Sequence, residues 1–322
     1  MMRKNDEGRA GFAGLTTCGS VWACPCCSSK IISRRQEDLA AAVSRWTASG
    51  GRVVMLTLTM RHKRQDRLDP LWAALGSAWR SVTSGAVWQA EKAAHGVAGW
   101  LRVVETTEGA NGWHVHVHAL LFVRDEVSDS AVAAWKKSVF GRWSRALGRA
   151  GLRPASLAAQ DMHLVVDADA AVGEYLAKGL DFGNVVAMEF TQSAGKKSRA
   201  AAGGRTPWDI LDSVIATGDA DDLDRWLEWE ATSKGKRQLT WSQGLRELIG
   251  LGVEESDDEL AAEELGSKDD NVILIPLDQW KATWKNPVIA AIALGLLETS
   301  GVDATIAFLR SCGVSAQRVN DS

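Results

Sequence analysis

The chain of 322 residues has one tyrosine, Tyr175, beside fifteen tryptophans. Covalent phenol chemistry therefore has a single possible position. No stretch is apolar for long enough to enter a membrane: the longest late run, Pro287 to Leu297, is too short to cross a bilayer. Arg3, Lys4, Asp6, Glu7 and Arg9 leave no apolar core for a secretion signal. These absences predict a cytoplasmic protein with no membrane partner, and disulfides are not expected among its five cysteines. No glycine sits at the spacing of a Walker motif, which excludes a P-loop, and no internal repeat is visible.

The net charge of -3 conceals an asymmetry. Residues 1–210 hold 27 Lys+Arg against 19 Asp+Glu, whereas residues 211–322 hold 10 against 21. A basic front portion suits a polyanionic partner, and the acidic rear does not. With 46% hydrophobic residues there is ample material for a core.

Histidine is concentrated in one place. The run Gly112-Trp113-His114-Val115-His116-Val117-His118-Ala119-Leu120-Leu121-Phe122 carries three of the six histidines. Its alternation and its valines predict a strand with His114, His116 and His118 on one face. Same-face neighbours on a strand are about 6.6 Å apart, so two adjacent imidazoles can share an ion while three would be strained. A further ligand is expected from the preceding run Trp100 to Thr106, which reads as the partner strand. If Thr107 to Gly112 is the connecting loop, Glu105 lies opposite His114. A mixed His/Glu set with open positions suits Mg²⁺ or Mn²⁺ acting on phosphate better than a closed structural zinc.

Four cysteines open the chain. Cys24-x-x-Cys27 has zinc-knuckle spacing and Cys18 could join it, giving either a structural Zn²⁺ with no evident fourth ligand or partly buried thiols. Ser28 or Ser29 is expected to cap a helix that stops at Gly50-Gly51, followed by a strand from Arg52 to Met60. Asp69-Pro70 reads as the start of a helix carrying Leu71, Leu75, Trp79 and Val82. Ser128 or Ser130 begins a long amphipathic helix ending at Gly151, with Lys136, Lys137, Arg142, Arg145 and Arg149 on its outer side, either facing DNA or simply solvated. Beyond the strand from Asp161 to Asp167 come a helix from Ala170 to Leu180 and a strand from Val185 to Thr191. A glycine-rich basic loop then holds Lys196, Lys197, Arg199 and Arg205, fit for contact with a phosphate backbone or else a solvated loop. The chain divides on this reading into a Cys-rich segment over 1–29, a main domain over 30–210, a helical extension over 211–253, an acidic linker over 254–270 and a small appendage over 271–322.

Thr57-Leu58-Thr59, Glu105, the His-x-His-x-His strand and Tyr175-Leu-Ala-Lys178, in that order, together resemble the HUH endonucleases. The similarity is greatest to single-tyrosine rolling-circle replication initiators of high-GC Gram-positive plasmids and integrative elements, and the cysteine opening is similar to that group too. The resemblance covers about Cys18 to Trp241. It implies an α+β fold with a central antiparallel sheet flanked by helices, preceded here by the cysteine cluster and followed by an acidic, mainly helical region. It implies His116 and His118 as metal ligands, with His114 an extra or alternative one, and Tyr175 as nucleophile.

The implied activity is nicking and rejoining of single-stranded origin DNA through a 5′-phosphotyrosine, with Mg²⁺ or Mn²⁺. Lys178, on the same helical face, either assists the phenol or pairs with Glu174. No helicase motif is present, so the implied helicase is a separate host protein. A conjugative relaxase with the same chemistry and a non-catalytic origin-binding module are the alternatives.

Overall fold

The structure is a computed structural model that describes residues 1–6, 8–14, 16–165, 204–262, 271–284 and 287–319. The chain forms two units, one of residues 19–261 and one of residues 1–18 with 262–322.

The larger unit is built on an antiparallel sheet. Its strands run in the order Asp161–Val165, Arg52–Thr59, Gly112–Val123, Val97–Gly109 and Gly204–Arg205, and Leu239–Trp241 also pairs with Val97–Gly109. The histidine strand is thus in the middle, paired throughout with Val97–Gly109 on one edge and over residues 116–123 with Arg52–Thr59 on the other. Helices cover both faces of this sheet, as the α+β class requires. On the histidine face, Trp46 of the helix Pro25–Ala48 donates its indole N–H to the carbonyls of Arg52 and Val123 at 3.0 and 3.1 Å and meets Phe122 edge-on. Gly51 permits that approach, since a Cβ there would lie 2.3 Å from Trp46 Nε1. On the opposite face, Trp79 of the helix Leu68–Val82 packs edge-on against Trp100 at 5.0 Å, and Trp143 of the helix Asp129–Arg149 donates to Thr59 O. Arg142, expected on the outer side of that helix, is instead buried in an ion pair with Glu91, because its neighbour is Gly85–Ala94, a helix the sequence pattern does not announce.

Element starts differ from the sequence expectation in two places. The first helix begins at Pro25, with Cys24 as its N-cap residue, rather than at Ser28 or Ser29. Proline suits the first helical position because the N–H it lacks would have no partner there. The second begins at Leu68, with Arg67 at the cap position, rather than at Pro70 behind an Asp69 cap. Its first N–H donates to Glu228 Oε1 at 2.9 Å, so a carboxylate distant in sequence does the work of a local cap. The long helix does begin at Ser128, whose hydroxyl accepts from Ala131 N.

The central hairpin corrects the expected register. Thr107, Glu108 and Gly109 are in the strand, and only Ala110 and Asn111 turn the chain. Glu105 therefore pairs directly with His116, and Thr107 takes the place opposite His114. Gly112, the first residue after the turn, sits in the left-handed region at φ +83°, where glycine is favoured. A Cβ on Gly112 would also lie 3.0 Å from Arg64 Cα.

In the smaller unit, Met2–Lys4 is an inner strand between Ala10–Phe12 and Asn271–Leu274, with Gln317–Arg318 at the far edge. Met2, Ile273, Ala293, Leu297 and Leu309 form its core. Lys4 Nζ donates to the carbonyls of Leu297 and Glu298 at the end of the helix Pro287–Thr299, where a cation is favoured. No helix among the described residues is long and apolar enough to cross a membrane.

Replacing Gly112 by alanine should lower stability by about 1–2 kcal/mol, the cost of a left-handed L-residue. A denaturation midpoint equal to that of the unaltered protein would contradict the hairpin geometry.

Candidate metal centre on the sheet face

Because side chains alternate along a strand, cross-strand pairing puts Glu105, His116 and His118 on one face in the middle of the sheet. The Glu105 carboxylate reaches both rings: Oε2 lies 2.8 Å from His116 Nε2 and 3.0 Å from His118 Nε2. The three potential ligand atoms lie within 4.8 Å of one another. Both histidines are buried and Glu105 is half-buried.

Neighbouring strands hold these rings in place. Thr57, paired with His118, has its Oγ1 3.0 Å from His118 Nδ1, which leaves Nε2 for the carboxylate side. Thr59, opposite His116, has its backbone N–H bound to the side-chain oxygen of buried Gln160 at 2.7 Å. His116 Nδ1 is buried with no partner among the described residues.

His114 belongs to a different arrangement. Its Nδ1 lies 3.0 Å from His62 Nε2, and His62 Nδ1 lies 2.8 Å from Asn111 O. Four imidazoles thus stand in a row, His62, His114, His116 and His118, with successive ring centroids 5.2, 4.9 and 4.7 Å apart. The strand geometry that makes three histidines on one ion strained is relieved by giving His114 a partner outside the cluster.

Electrostatics follow from this packing. Burial pushes the Glu105 carboxyl up, but the hydrogen bonds with His116 and His118 outweigh it and hold the group down at about 2. Burial, reinforced by His116 and His62, holds His114 down at about 4, so that ring is neutral at pH 7. The site consequently offers an ionised carboxylate beside the two rings, the carboxyl form that metal ligation requires.

The donor set fits a divalent cation. Ligands at right angles around an ion at about 2.1 Å are about 3 Å apart, the size of the two separations from Glu105 Oε2. Two imidazole nitrogens and one carboxylate oxygen can hold such an ion with positions left open for phosphate oxygens.

Other expected site residues have varied placements. Tyr175, Lys178, Lys196, Lys197 and Arg199 lie outside the described residues. Arg205 is engaged within the fold: its guanidinium binds both carboxylate oxygens of Asp222 at 2.7 and 2.8 Å and Glu108 Oε2 at 3.0 Å. Within the larger unit, the sulfurs of Cys24 and Cys27 lie within 4.8 Å of one another, and Cys18 belongs to the smaller unit.

Sequence reasoning missed His62 and Gln160. Neither belongs to a periodic pattern, and each reaches the site only through tertiary contact. The one signal for His62 was its position three residues beyond Thr59, the end of the strand beside the histidines.

The depressed Glu105 carboxyl predicts an acid-dependent contribution to stability. A carboxyl whose folded pKa is lowered stabilises the fold above its ordinary value of 4.5, and that contribution is lost as pH falls toward about 2. In metal-free protein the difference in unfolding free energy between unaltered and Glu105→Gln chains should shrink over that window, by up to about 3 kcal/mol. Parallel stability–pH curves would remove the pairing.

A family profile described as "Replication protein" matches residues 13–137, a stretch that includes Glu105, His116 and His118. The chain is similar to "Protein rep" of Streptomyces lividans, 29% identical over 344 residues and covering 85% of this chain and 74% of that protein. It is also similar to "Neomycin resistance protein" of Streptomyces cyanogenus, 33% identical over 141 residues that make up 36% of this chain and 32% of that one. No solved structure matches. The profile and the first relative support a replication protein.

Proposed function

We propose that the chain is a rolling-circle replication initiator that nicks one strand of its origin, stays attached to the 5′ end and later rejoins it. The observation that carries this reading is the buried Glu105–His116–His118 cluster in the middle of an antiparallel sheet, in a chain similar to replication proteins.

The chemistry needs a nucleophile, and Tyr175 is the one tyrosine available. Its phenolate oxygen attacks the scissile phosphorus, and the bond from phosphorus to the 3′-oxygen breaks. That oxygen leaves and takes up a proton, giving a free 3′-OH and a 5′-phosphotyrosine ester. Rejoining is the same exchange in reverse: a 3′-OH attacks the ester and releases the phenol, with no nucleoside triphosphate consumed. Tyrosine ionises near pH 10, so the phenol needs local help, a role we assign to Lys178.

Glu105, His116 and His118 would hold one Mg²⁺ or Mn²⁺, which when bound supplies charge stabilisation at the non-bridging phosphate oxygens. Thr57 keeps the His118 ring turned so that Nε2 faces the ion position. The carboxylate of Glu105 adds negative charge that makes a divalent cation favourable between the two rings.

The basic residues Lys196, Lys197 and Arg199 extend the backbone contact, a separate host helicase opens the duplex, and the protein works in the cytoplasm. Cys18, Cys24 and Cys27 would hold a structural Zn²⁺, a reading supported by the zinc-knuckle spacing of Cys24-x-x-Cys27 and the nearness of those two sulfurs.

Incubation with origin single strand and Mn²⁺ should give a denaturation-resistant protein–DNA adduct. Tyr175→Phe should abolish the adduct and keep strand binding. His116→Ala with His118→Ala should lower the cleavage rate at least 100-fold, the scale of losing one charge-stabilising element. An adduct formed by the Tyr175→Phe variant would rule out the nucleophile. For the cysteines, purified protein should carry about one zinc per chain that survives mild chelation, and elemental analysis showing none would leave them as thiols.

A further inference from the structure

The loop between the strand Arg52–Thr59 and the helix Leu68–Val82 reads Met60-Arg61-His62-Lys63-Arg64-Gln65-Asp66-Arg67. Five of its eight residues are basic or histidine. It lies at the end of the sheet where the central hairpin turns, and its backbone is held from several sides. His62 Nδ1 lies 2.8 Å from the carbonyl of Asn111 in the turn. Lys63 N donates to Asp66 Oδ2 at 2.7 Å and Asp66 N returns a bond to Lys63 O at 3.0 Å. Arg225 donates to Arg64 O, and Glu228 receives both Leu68 N and the Arg67 guanidinium.

The side chains divide into two sets. Arg67 is paired with Glu228 and His62 with His114. Arg61, Lys63 and Arg64 are exposed and meet no carboxylate among the described residues. Exposed cations are commonly solvated; what sets these apart is their density and the absence of a nearby acid among the described residues. Three in four residues without one, on a loop whose backbone is pinned, leave concentrated positive charge in a fixed place. That place is defined by the row of imidazoles. His62 from this loop touches His114, and the row continues to the Glu105 cluster at centroid spacings below 5.3 Å.

We infer that Arg61, Lys63 and Arg64 form the phosphate-binding ledge that receives the backbone of the single-stranded DNA beside the metal centre, and that His62 couples the ledge to the site. The inference rests on the function proposed above and adds to it a positioning surface. Cations on a pinned loop fix the register of a strand without reading its bases. The matching basic side chains Lys137, Arg145 and Arg149 are exposed on a helix that packs on the opposite face of the sheet, so they serve as a charge-matched comparison.

Binding is measured by fluorescence anisotropy with a labelled single-stranded oligonucleotide over a salt series, without metal so that cleavage plays no part. For single strands each phosphate contact contributes about 0.7 to the slope of log K against log salt. The triple variant Arg61→Gln, Lys63→Gln, Arg64→Gln should therefore lose about 2 from the slope. With affinities converging at 1 M salt, it should bind about 100-fold more weakly at 0.1 M. The variant Lys137→Gln, Arg145→Gln, Arg149→Gln removes the same charge and should keep the slope of the unaltered protein. Circular dichroism melts check that both variants are folded. Equal slopes for the ledge variant and the unaltered protein overturn the inference, as do equal losses in the two variants, which would mean undirected charge alone. Failure of the unaltered protein to bind any single strand overturns the inference together with the proposed function. Binding that depends on the ledge, with no covalent adduct, would keep the ledge and reject the nicking.

Discussion

Pairing of Val97–Gly109 with Gly112–Val123 is the contact on which the site depends. Strand side chains alternate, so a slip of one residue would send Glu105 to the opposite face and separate it from both histidines. The register is fixed at one end by the two-residue turn at Ala110-Asn111 and along its length by apolar side chains on both faces. Val115, Val117, Ala119 and Leu121 are buried on one side, and Leu120 and Phe122 on the other. Burying this much branched apolar surface specifies the alignment far more strongly than the polar contacts of the site could. The hydrophobic alternation therefore positions the polar cluster.

The cluster in turn illustrates how a buried charge is tolerated. A carboxylate taken from water is costly unless it is paired and hydrogen-bonded. Glu105 meets that requirement with two imidazoles, and its pKa falls rather than rises. The same partners are the ligands a divalent cation would use, so the arrangement is assembled before any ion arrives. Such preorganisation removes a cost that would otherwise oppose binding. His114 shows the limit of the strand as a ligand scaffold. Two same-face neighbours converge, and the third turns to His62 on an adjacent loop.

Charge follows the same division of labour. Arg205 is chelated by Asp222 and Glu108 and joins Gly204–Arg205 to the helix Ala220–Ser233, a structural role for a residue that its sequence neighbourhood marked as DNA-binding. The loop Arg61–Arg67, which no motif distinguishes, carries three cations left without acidic partners among the described residues. Basic composition alone does not separate these cases, because a guanidinium binds an internal carboxylate as readily as a phosphate.

The sequence by itself determined the mixed helix and sheet class, the strand identity of Arg52–Thr59 and of the histidine run, and the shared face of His116 and His118. Each follows from local periodicity, which is a property of consecutive residues. It also placed Glu105 on the histidine face, since a residue on the neighbouring strand has only two faces to choose from. It misjudged the loop length, and so set Glu105 across from His114 instead of His116, because a two-residue turn and a longer loop both suit a polar, glycine-ended segment. Only the tertiary structure decided what depends on distant residues: Gln160 holding Thr59, Glu228 capping the helix at Leu68, His62 claiming His114, and Met2–Lys4 lying beside Asn271–Leu274. In the last case the two ends of the chain share one sheet because the three-residue strand Met2–Lys4 buries Met2 in a core drawn mostly from strands and helices near the other end. Its composition carries no mark of a partner some 270 positions away, and backbone hydrogen bonding is indifferent to sequence separation.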